Sequence, residues 1–138
     1  MPKSATSDCP CGSGLVLSDC CGPIIDGERH ADTAEALMRS RYSAHVLDNA
    51  DYLRATWHPA TRLAEFKLNE SMTWIGLKIV RSDREGDRAL VEFVARYKVA
   101  GRGYRVHEIS RFLRVKGRWL YLDGETGHTD SLAKSTAQ

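Results

Sequence analysis

The sequence predicts an α+β protein in which helices come first, a curved antiparallel sheet of about four strands follows, and a small cysteine-rich segment stands in front. Three observations support this prediction. All four cysteines lie between residues 9 and 21. Residues 32–57 place apolar side chains at a period of about 3.6, and from residue 73 onward the period becomes about two. Helical segments followed by consecutive strands are typical of an α+β layout.

The composition is that of an ordinary globular chain. Of 138 residues, 42% are hydrophobic and 28% are charged, and the formal net charge is +2. A chain of this length buries a sizeable core without cysteine cross-links. The charge is too small to indicate nucleic acid, and residues 1–23, with one lysine and two aspartates, disfavour phosphate. No stretch resembles a secretory signal or a membrane span, so the expected location is the cytoplasm, where thiols stay reduced.

The cysteines follow the spacing C-x-C-x8-C-C and are Cys9, Cys11, Cys20 and Cys21. Disulfides are disfavoured, because adjacent or nearly adjacent cysteines close strained rings. Free redox thiols are an alternative, although four thiols fit a two-cysteine redox motif poorly. Four thiolates around one soft dication explain both number and proximity, and a closed shell indicates a structural zinc rather than a catalytic one. Iron is the alternative metal, since thiolates suit both.

The residues around the cysteines fit a metal-folded module. Gly12 and Gly14 allow a tight turn, and Ser13 can hydrogen-bond to a sulfur. The turn at Gly22–Pro23 ends the segment. The apolar run at 15–17, Leu-Val-Leu, is expected to be an exposed tip that docks a protein partner. A segment this short cannot fold on apolar burial alone, so the metal would supply its folding free energy.

The strings CPCGSG and CCGP resemble the SEC-C motif, a short zinc module at the C-terminus of the SecA translocation ATPase and in other bacterial proteins. The resemblance implies that all four cysteines are zinc ligands, with Cys21 in the fourth place. In SecA the module binds the chaperone SecB, in part through basic residues between the second and third ligands. Here that stretch reads GSGLVLSD, which is apolar and acidic, so the same partner is not implied.

Two helices are predicted after the cysteines. Asp32 starts a capping-box pattern that opens a helix over 32–47. A second helix over 48–57 starts at an aspartate and ends before Pro59. Residues 60–71 read either as a loop or as a weak third helix.

Four β-rich runs follow, and two of the breaks between them are short enough for hairpins, so we expect consecutive antiparallel strands. The predicted strands are 73–82, 88–99, 104–115 and 118–123. Both faces of the last two runs are partly apolar, so helices are expected to cover one face. The predicted boundaries are a cysteine module over 1–24, a connector over 25–31, an α+β domain over 32–127 and a frayed tail over 128–138.

A wider resemblance spans nearly the whole chain. The strings MRSRYSAHVLDNADYLRATWHP, HEISRF and GRWLYLDG, together with the cysteine motif, are similar to the YchJ-like family of bacterial proteins. The resemblance implies a nuclear transport factor 2-like (SnoaL-like) cone, in which helices pack into a curved sheet and leave a pocket at one end. It implies no particular reaction, because this fold hosts isomerases, dehydratases, hydrolases and pure binding modules.

Titratable residues beside structural landmarks are the candidates for chemistry in the cone, since a histidine near a carboxylate can transfer protons at neutral pH. The catalytic candidates are His58, His107, Glu108 and Asp123. The residues expected to line the pocket are Arg41, Tyr42, Trp57, Ser110, Trp119 and Tyr121. If the last hairpin pairs in register, one surface would carry five of these residues: Glu108, Ser110, Trp119, Tyr121 and Asp123. The alternative is structural: His58 would bond to backbone, and the charged residues would form cross-strand pairs.

Two functions therefore compete. The first is an interaction protein, in which the zinc module docks a protein partner and the cone, as monomer or homodimer, binds a small ligand. The second is a small-molecule enzyme of isomerase, dehydratase or hydrolase type that uses acid and base residues of the cone, without a catalytic metal.

Overall fold

The computed structural model describes residues 7–63, 68 and 71–127. The predicted tail and part of the ambiguous 60–71 segment lie outside these residues. A 3₁₀ turn at Leu17–Asp19 precedes three helices and four strands. These elements are α1 (Cys21–Ile25), α2 (Ala34–Val46), α3 (Ala50–Ala55), β1 (Met72–Glu85), β2 (Arg88–Val99), β3 (Arg102–Val115) and β4 (Arg118–Gly127).

The four strands form one antiparallel sheet in the order β1-β2-β3-β4, which confirms the predicted meander. All three connections are two-residue turns. Ala100 and Gly101 have φ of 53° and 79°, and Lys116 and Gly117 have φ of 53° and 80°. Turns with two positive φ angles match the right-handed twist of the flanking strands. At the first turn only Gly86 has a positive φ, 61°. The sequence did not predict a two-residue turn at this place.

One face of the sheet is packed against α2 and forms the core of the cone. Alternate residues of β2 are buried there, as the period-two pattern predicts: Val91, Phe93, Ala95 and Tyr97. Leu37 and Tyr42 of α2 join the same cluster. Aromatic rings fill the interior, with centroids 5.2 Å apart for Trp74 and Tyr97. Helices packed on a four-stranded antiparallel sheet confirm the predicted α+β class.

Each helix of the cone begins one residue later than predicted. Thr33, not Asp32, caps α2, because its side chain accepts a hydrogen bond from the amide of Ala36 at 3.0 Å. Asn49 caps α3 by accepting from the amide of Tyr52 at 3.0 Å. In both places two adjacent residues carry a suitable acceptor, and the pattern alone does not choose between them.

The cysteine module, of which residues 7–24 are described, packs directly on the cone. Its buried residues contact Leu47, at the end of α2, and Leu77 of β1. The module boundary at residue 24 and the connector over 25–31 stay predictions. Among the helices of residues 7–63, 68 and 71–127, none has the length and hydropathy of a membrane span.

Candidate metal centre

The first two cysteines sit on a tight loop between two short extended segments. Asp8 and Val16 form an antiparallel bridge, and the amide of Cys9 donates to the carbonyl of Leu15 at 2.8 Å. Between them the chain reverses through Gly12 and Gly14, whose φ angles are +81° and +88°. Residues with a Cβ rarely adopt such angles, so the two glycines act as the sequence indicates.

The chain returns to the last two cysteines through the 3₁₀ turn and α1. A Cβ on Gly22 would lie 2.8 Å from the carbonyl oxygen of Leu17, so this close approach requires glycine. Leu17 itself is only 8% exposed and packs among the cysteines, whereas Leu15 is 51% exposed. The expected tip over 15–17 is therefore corrected: Leu17 belongs to the module's core, and Leu15 is its exposed apolar side chain.

The four sulfurs of Cys9, Cys11, Cys20 and Cys21 all lie within 4.8 Å of one another. The Cys11 and Cys20 sulfurs are 3.6 Å apart, and those of Cys20 and Cys21 are 3.9 Å apart. Disulfide sulfurs would be about 2.05 Å apart, and all four thiols are free. Thiolates held tetrahedrally at about 2.3 Å from a zinc ion would lie about 3.8 Å apart. The donor set and its spacing therefore fit one metal ion.

The electrostatics of the cluster favour a central cation. Hydrogen bonds from the Cys21 and Cys9 thiols hold the pKa of the Cys11 thiol well below its usual range, and the contact with Cys11 raises the pKa of Cys21. Burial raises the pKa of Cys20, although the Ser13 hydroxyl, 3.1 Å from its sulfur, opposes this. The thiolate form is thus favoured at Cys11 and disfavoured at Cys20 and Cys21. A dication in their midst would supply the charge that further thiolates need.

Helix α2 contributes two contacts to the cluster that sequence reasoning missed. Nη1 of Arg39 donates to the carbonyl of Cys11 at 2.9 Å and lies 3.9 Å from its sulfur. The hydroxyl of Ser43, which is fully buried, lies 3.5 Å from the sulfur of Cys9. Their spacing of four residues places both on one helix face. The sequence does not indicate which face meets the module.

In the cone, the structure brings Arg41 and Tyr121 together. Nη1 of Arg41 donates to the carbonyl of Leu53 at 2.8 Å and to the hydroxyl of Thr56 at 2.6 Å. Its guanidinium carbon lies 4.6 Å from the centroid of the Tyr121 ring. Burial lowers the pKa of Arg41 to about 10, so the group remains cationic at neutral pH.

Glu108 and Ser110 lie on the same inner face. Oε2 of Glu108 accepts from the Ser110 hydroxyl at 2.6 Å. Burial raises the pKa of the Glu108 carboxyl, although Ser110 and the charge of Arg41 oppose the rise. Gly124 on the neighbouring strand leaves the space that Glu108 fills, because a Cβ there would collide with the carboxylate. Arg41, Glu108, Ser110 and Tyr121 thus lie on the inner side of the sheet, together with the core residues Tyr42 and Trp119.

Asp123 does not join them, which corrects the expectation of one shared surface. Arg111 pairs with Asp123, whereas the next residue, Phe112, pairs with Tyr121, so Leu122 is an extra residue in β4. The bulge turns Asp123 to the outer face. There it forms a bidentate ion pair with Arg111 at 2.6 and 2.7 Å.

The two histidine candidates also lie away from the inner face. Nε2 of His107 is 2.6 Å from Oε2 of Glu92 on the outer face of the sheet. Nδ1 of His58 accepts from the amide of Ala60 at 3.0 Å, and the amide of His58 donates to the carbonyl of Tyr121 at 2.7 Å. These are the contacts of the structural alternative, a cross-strand pair and a bond to backbone.

The remaining pocket candidates pack in or beside the core. Tyr42 and Trp119 are buried, and the Trp57 ring lies 5.8 Å from that of Tyr121. A cavity of about 530 Å³ lies between α1, the connector, α3 and the start of β4, and of the six predicted lining residues Trp119 alone lines it. Its walls come from α1, the connector and the cone.

The fold and the cysteine cluster define a protein in which a cone of NTF2-like type carries a module that can hold a metal ion. The profile described as YchJ, middle NTF2-like domain, matches residues 33–124, and that of the SEC-C motif matches residues 6–23. The chain belongs to the YchJ-like family, whose relatives carry the name UPF0225. Both resemblances stated from the sequence are thereby confirmed.

Relatives and solved structures agree over most of the chain. The UPF0225 protein of Bordetella parapertussis is 49% identical over 128 residues, covering 90% of this chain and 96% of the relative. That of Deinococcus radiodurans is 52% identical over 116 residues, covering 83% and 86%. The solution structure of a SEC-C motif containing protein from Rhodopseudomonas palustris has a TM-score of 0.79 at 38% identity, covering 88% and 98%. A crystal structure of another, from Psychrobacter arcticus, has a TM-score of 0.75 at 30% identity, covering 92% and 86%.

Proposed function

We propose that the chain is a cytoplasmic zinc protein, and that it works as an interaction or ligand-binding protein whose metal-folded module docks a protein partner. The observation that carries this proposal is the cluster of four sulfurs within 4.8 Å. Four protein ligands complete the tetrahedral shell of zinc, so the metal's role is to fold the module. A reducing compartment keeps the thiols available to the ion.

Elemental analysis of protein purified without added metal tests the first half of the proposal. We expect one zinc ion per chain, retained through gel filtration, and its loss in Cys21→Ser, because Cys21 is fully buried among the other sulfurs. A colourless protein separates zinc from iron, since iron–thiolate sites absorb visible light. Metal-free protein with an amide spectrum that a chelator leaves unchanged would contradict the proposal.

The exposed Leu15 supports the docking role, because a large apolar side chain on a metal-braced loop offers a partner a preorganised contact. We expect Leu15→Ser to lose partners that wild type captures, and Cys21→Ser to lose the same ones. The matched control is Leu63→Ser, which changes a leucine that is 54% exposed outside the module. Identical partner sets for all of these proteins would reject the docking role.

A second candidate, a small-molecule enzyme, is favoured by the raised pKa of Glu108 near the cationic Arg41. A carboxyl group that holds its proton closer to neutral pH can act as a general acid or base. If the cone is catalytic, Glu108→Gln abolishes turnover of any compound found in a metabolite screen. Asp123→Asn, on the outer face, leaves turnover intact. A wild-type protein that turns over none of the screened compounds would count against this candidate.

A further inference from the structure

We propose that helix α2 completes the metal centre through Arg39 and Ser43, and that metal binding consequently stabilises the cone as well as the module. The inference rests on the metal binding proposed above and assigns two positioning residues to it. Neither residue belongs to the cysteine motif, and both lie in the cone. Arg39 comes 28 residues after Cys11, and Ser43 comes 34 residues after Cys9.

Three polar residues spaced by four, Glu35, Arg39 and Ser43, lie along one face of α2, and the last two of them contact the module. Nε of Arg39 donates to Oε2 of Glu35 at 3.1 Å, while Nη1 donates to the Cys11 carbonyl at 2.9 Å. The guanidinium is thus held from two sides, and Nη1 reaches the Cys11 sulfur at 3.9 Å without further ordering. A side chain fixed in this way loses little entropy when the sulfur becomes a metal ligand.

Charge gives Arg39 its function. Four thiolates around a dication carry two net negative charges, and the cluster is largely buried. Arg39 is a permanent cation that contacts one of those sulfurs, so it offsets part of the excess charge.

Ser43 acts as a hydrogen-bond donor. A thiolate has no proton to give, so the Ser43 hydroxyl must donate to the Cys9 sulfur once the metal is bound. Its burial keeps water from replacing that bond. Outer contacts of this kind orient metal ligands, and their loss commonly weakens metal affinity by about 10- to 100-fold.

The coupling is reciprocal by thermodynamic necessity. If contacts from the folded cone raise the affinity for metal, then bound metal stabilises the cone by the corresponding free energy. The packing of the module against Leu47 and Leu77 carries the same coupling. The cysteine module is therefore a metal-dependent brace on the cone rather than an independent appendage.

The first test uses intrinsic fluorescence, because all three tryptophans, Trp57, Trp74 and Trp119, lie in the cone and none in the module. Tryptophan emission during heating thus reports unfolding of the cone alone. We expect removal of zinc by a strong chelator to lower this melting temperature by at least about 3 °C. A melting temperature that is the same with and without bound zinc overturns the coupling.

The second test measures zinc affinity by competition with a chromophoric chelator. We expect Arg39→Met and Ser43→Ala each to weaken zinc binding by about 10-fold or more. Arg39→Lys should weaken zinc binding less than Arg39→Met does, because lysine keeps the positive charge but lacks the planar guanidinium group. The control is Arg96→Met, which removes an exposed arginine on the outer face of β2. If Arg39→Met folds poorly, the zinc affinity of Ser43→Ala still tests the inference.

The outcomes separate this inference from the proposed function. Zinc bound at one ion per chain, with Arg39→Met and Ser43→Ala within threefold of wild type, overturns the assignment of α2 and leaves the metal site in place. A wild-type protein that binds no metal overturns both.

Discussion

The cysteine module and the cone are held together by different means. Among residues 7–24 of the module, the buried ones are three of the four cysteines and Leu17, so this interior consists mainly of sulfur atoms that can bind a metal. The cone buries aliphatic and aromatic side chains between α2 and a four-stranded sheet. About two dozen residues cannot remove enough apolar surface from water to fold alone, whereas a domain near 100 residues can. The comparison shows that the length of each region decides whether it needs a bound ligand in order to fold.

The sharpest test removes one buried sulfur. Cys11→Ser should abolish metal binding and unfold the module, because apparent zinc-binding free energies of roughly 10–16 kcal/mol in small zinc domains are also folding free energies. The cone should remain folded at lower stability. Metal content and amide dispersion of residues 7–24 measure this outcome. Ser18→Ala, at an exposed position between Cys11 and Cys20, should change neither quantity. Full metal content in Cys11→Ser would contradict the comparison.

The converse test creates a cavity in the hydrophobic core of the cone. Phe112 is 1% exposed in the core, and Phe112→Ala should lower the free energy of unfolding by about 3–5 kcal/mol. Urea titration followed by tryptophan fluorescence measures the loss, and metal content should stay at the wild-type value while the protein is folded. Val115→Ala is the control, because Val115 is 39% exposed and exposed changes usually stay within about 0.5 kcal/mol.

A third test separates the regions by pH. Burial, helped by the charge of Arg41, lowers the pKa of His45 to about 4. The unfolded chain takes up this proton below about pH 6.5 while the native cone does not, so stability falls as pH decreases from about 6.5 to 4, by up to about 3 kcal/mol. Metal-free protein is required, because acid also releases the metal. His45→Gln should flatten this dependence in urea titrations; an unchanged slope would contradict the assignment.

The smallest expected effect concerns the helix that the two regions share. Thr33→Ala removes the cap of α2 and should cost about 1 kcal/mol of stability. Because α2 also contacts the cysteines, metal affinity should decrease slightly. Asp32→Ala is the control, since its neighbour forms the cap bond. If Asp32→Ala costs as much as Thr33→Ala, the corrected helix start is wrong.

The cysteine cluster and the strand order were predictable because both depend on local patterns. Four thiols within thirteen positions leave few chemical explanations, and the chain order of the strands follows from short turns. The face on which Asp123 lies was not predictable, because one extra residue, Leu122, reverses every side chain beyond it. The burial of Leu17 and the contacts of Arg39 depend on how the module sits on the cone, which no local pattern encodes.

The corner at Trp57 and His58 also has a consequence for solubility. Thr56 and His58 bond to both backbone groups of Tyr121, so part of the outer rim of β4 is occupied by the chain itself. On the opposite rim, irregular pairing at Ile75 and Val80 interrupts β1, and the loop at Gly12 lies against the carbonyl of Leu77. A strand of another molecule therefore finds no uninterrupted edge to pair with on either side of the sheet, which disfavours aggregation through edge-to-edge strand pairing.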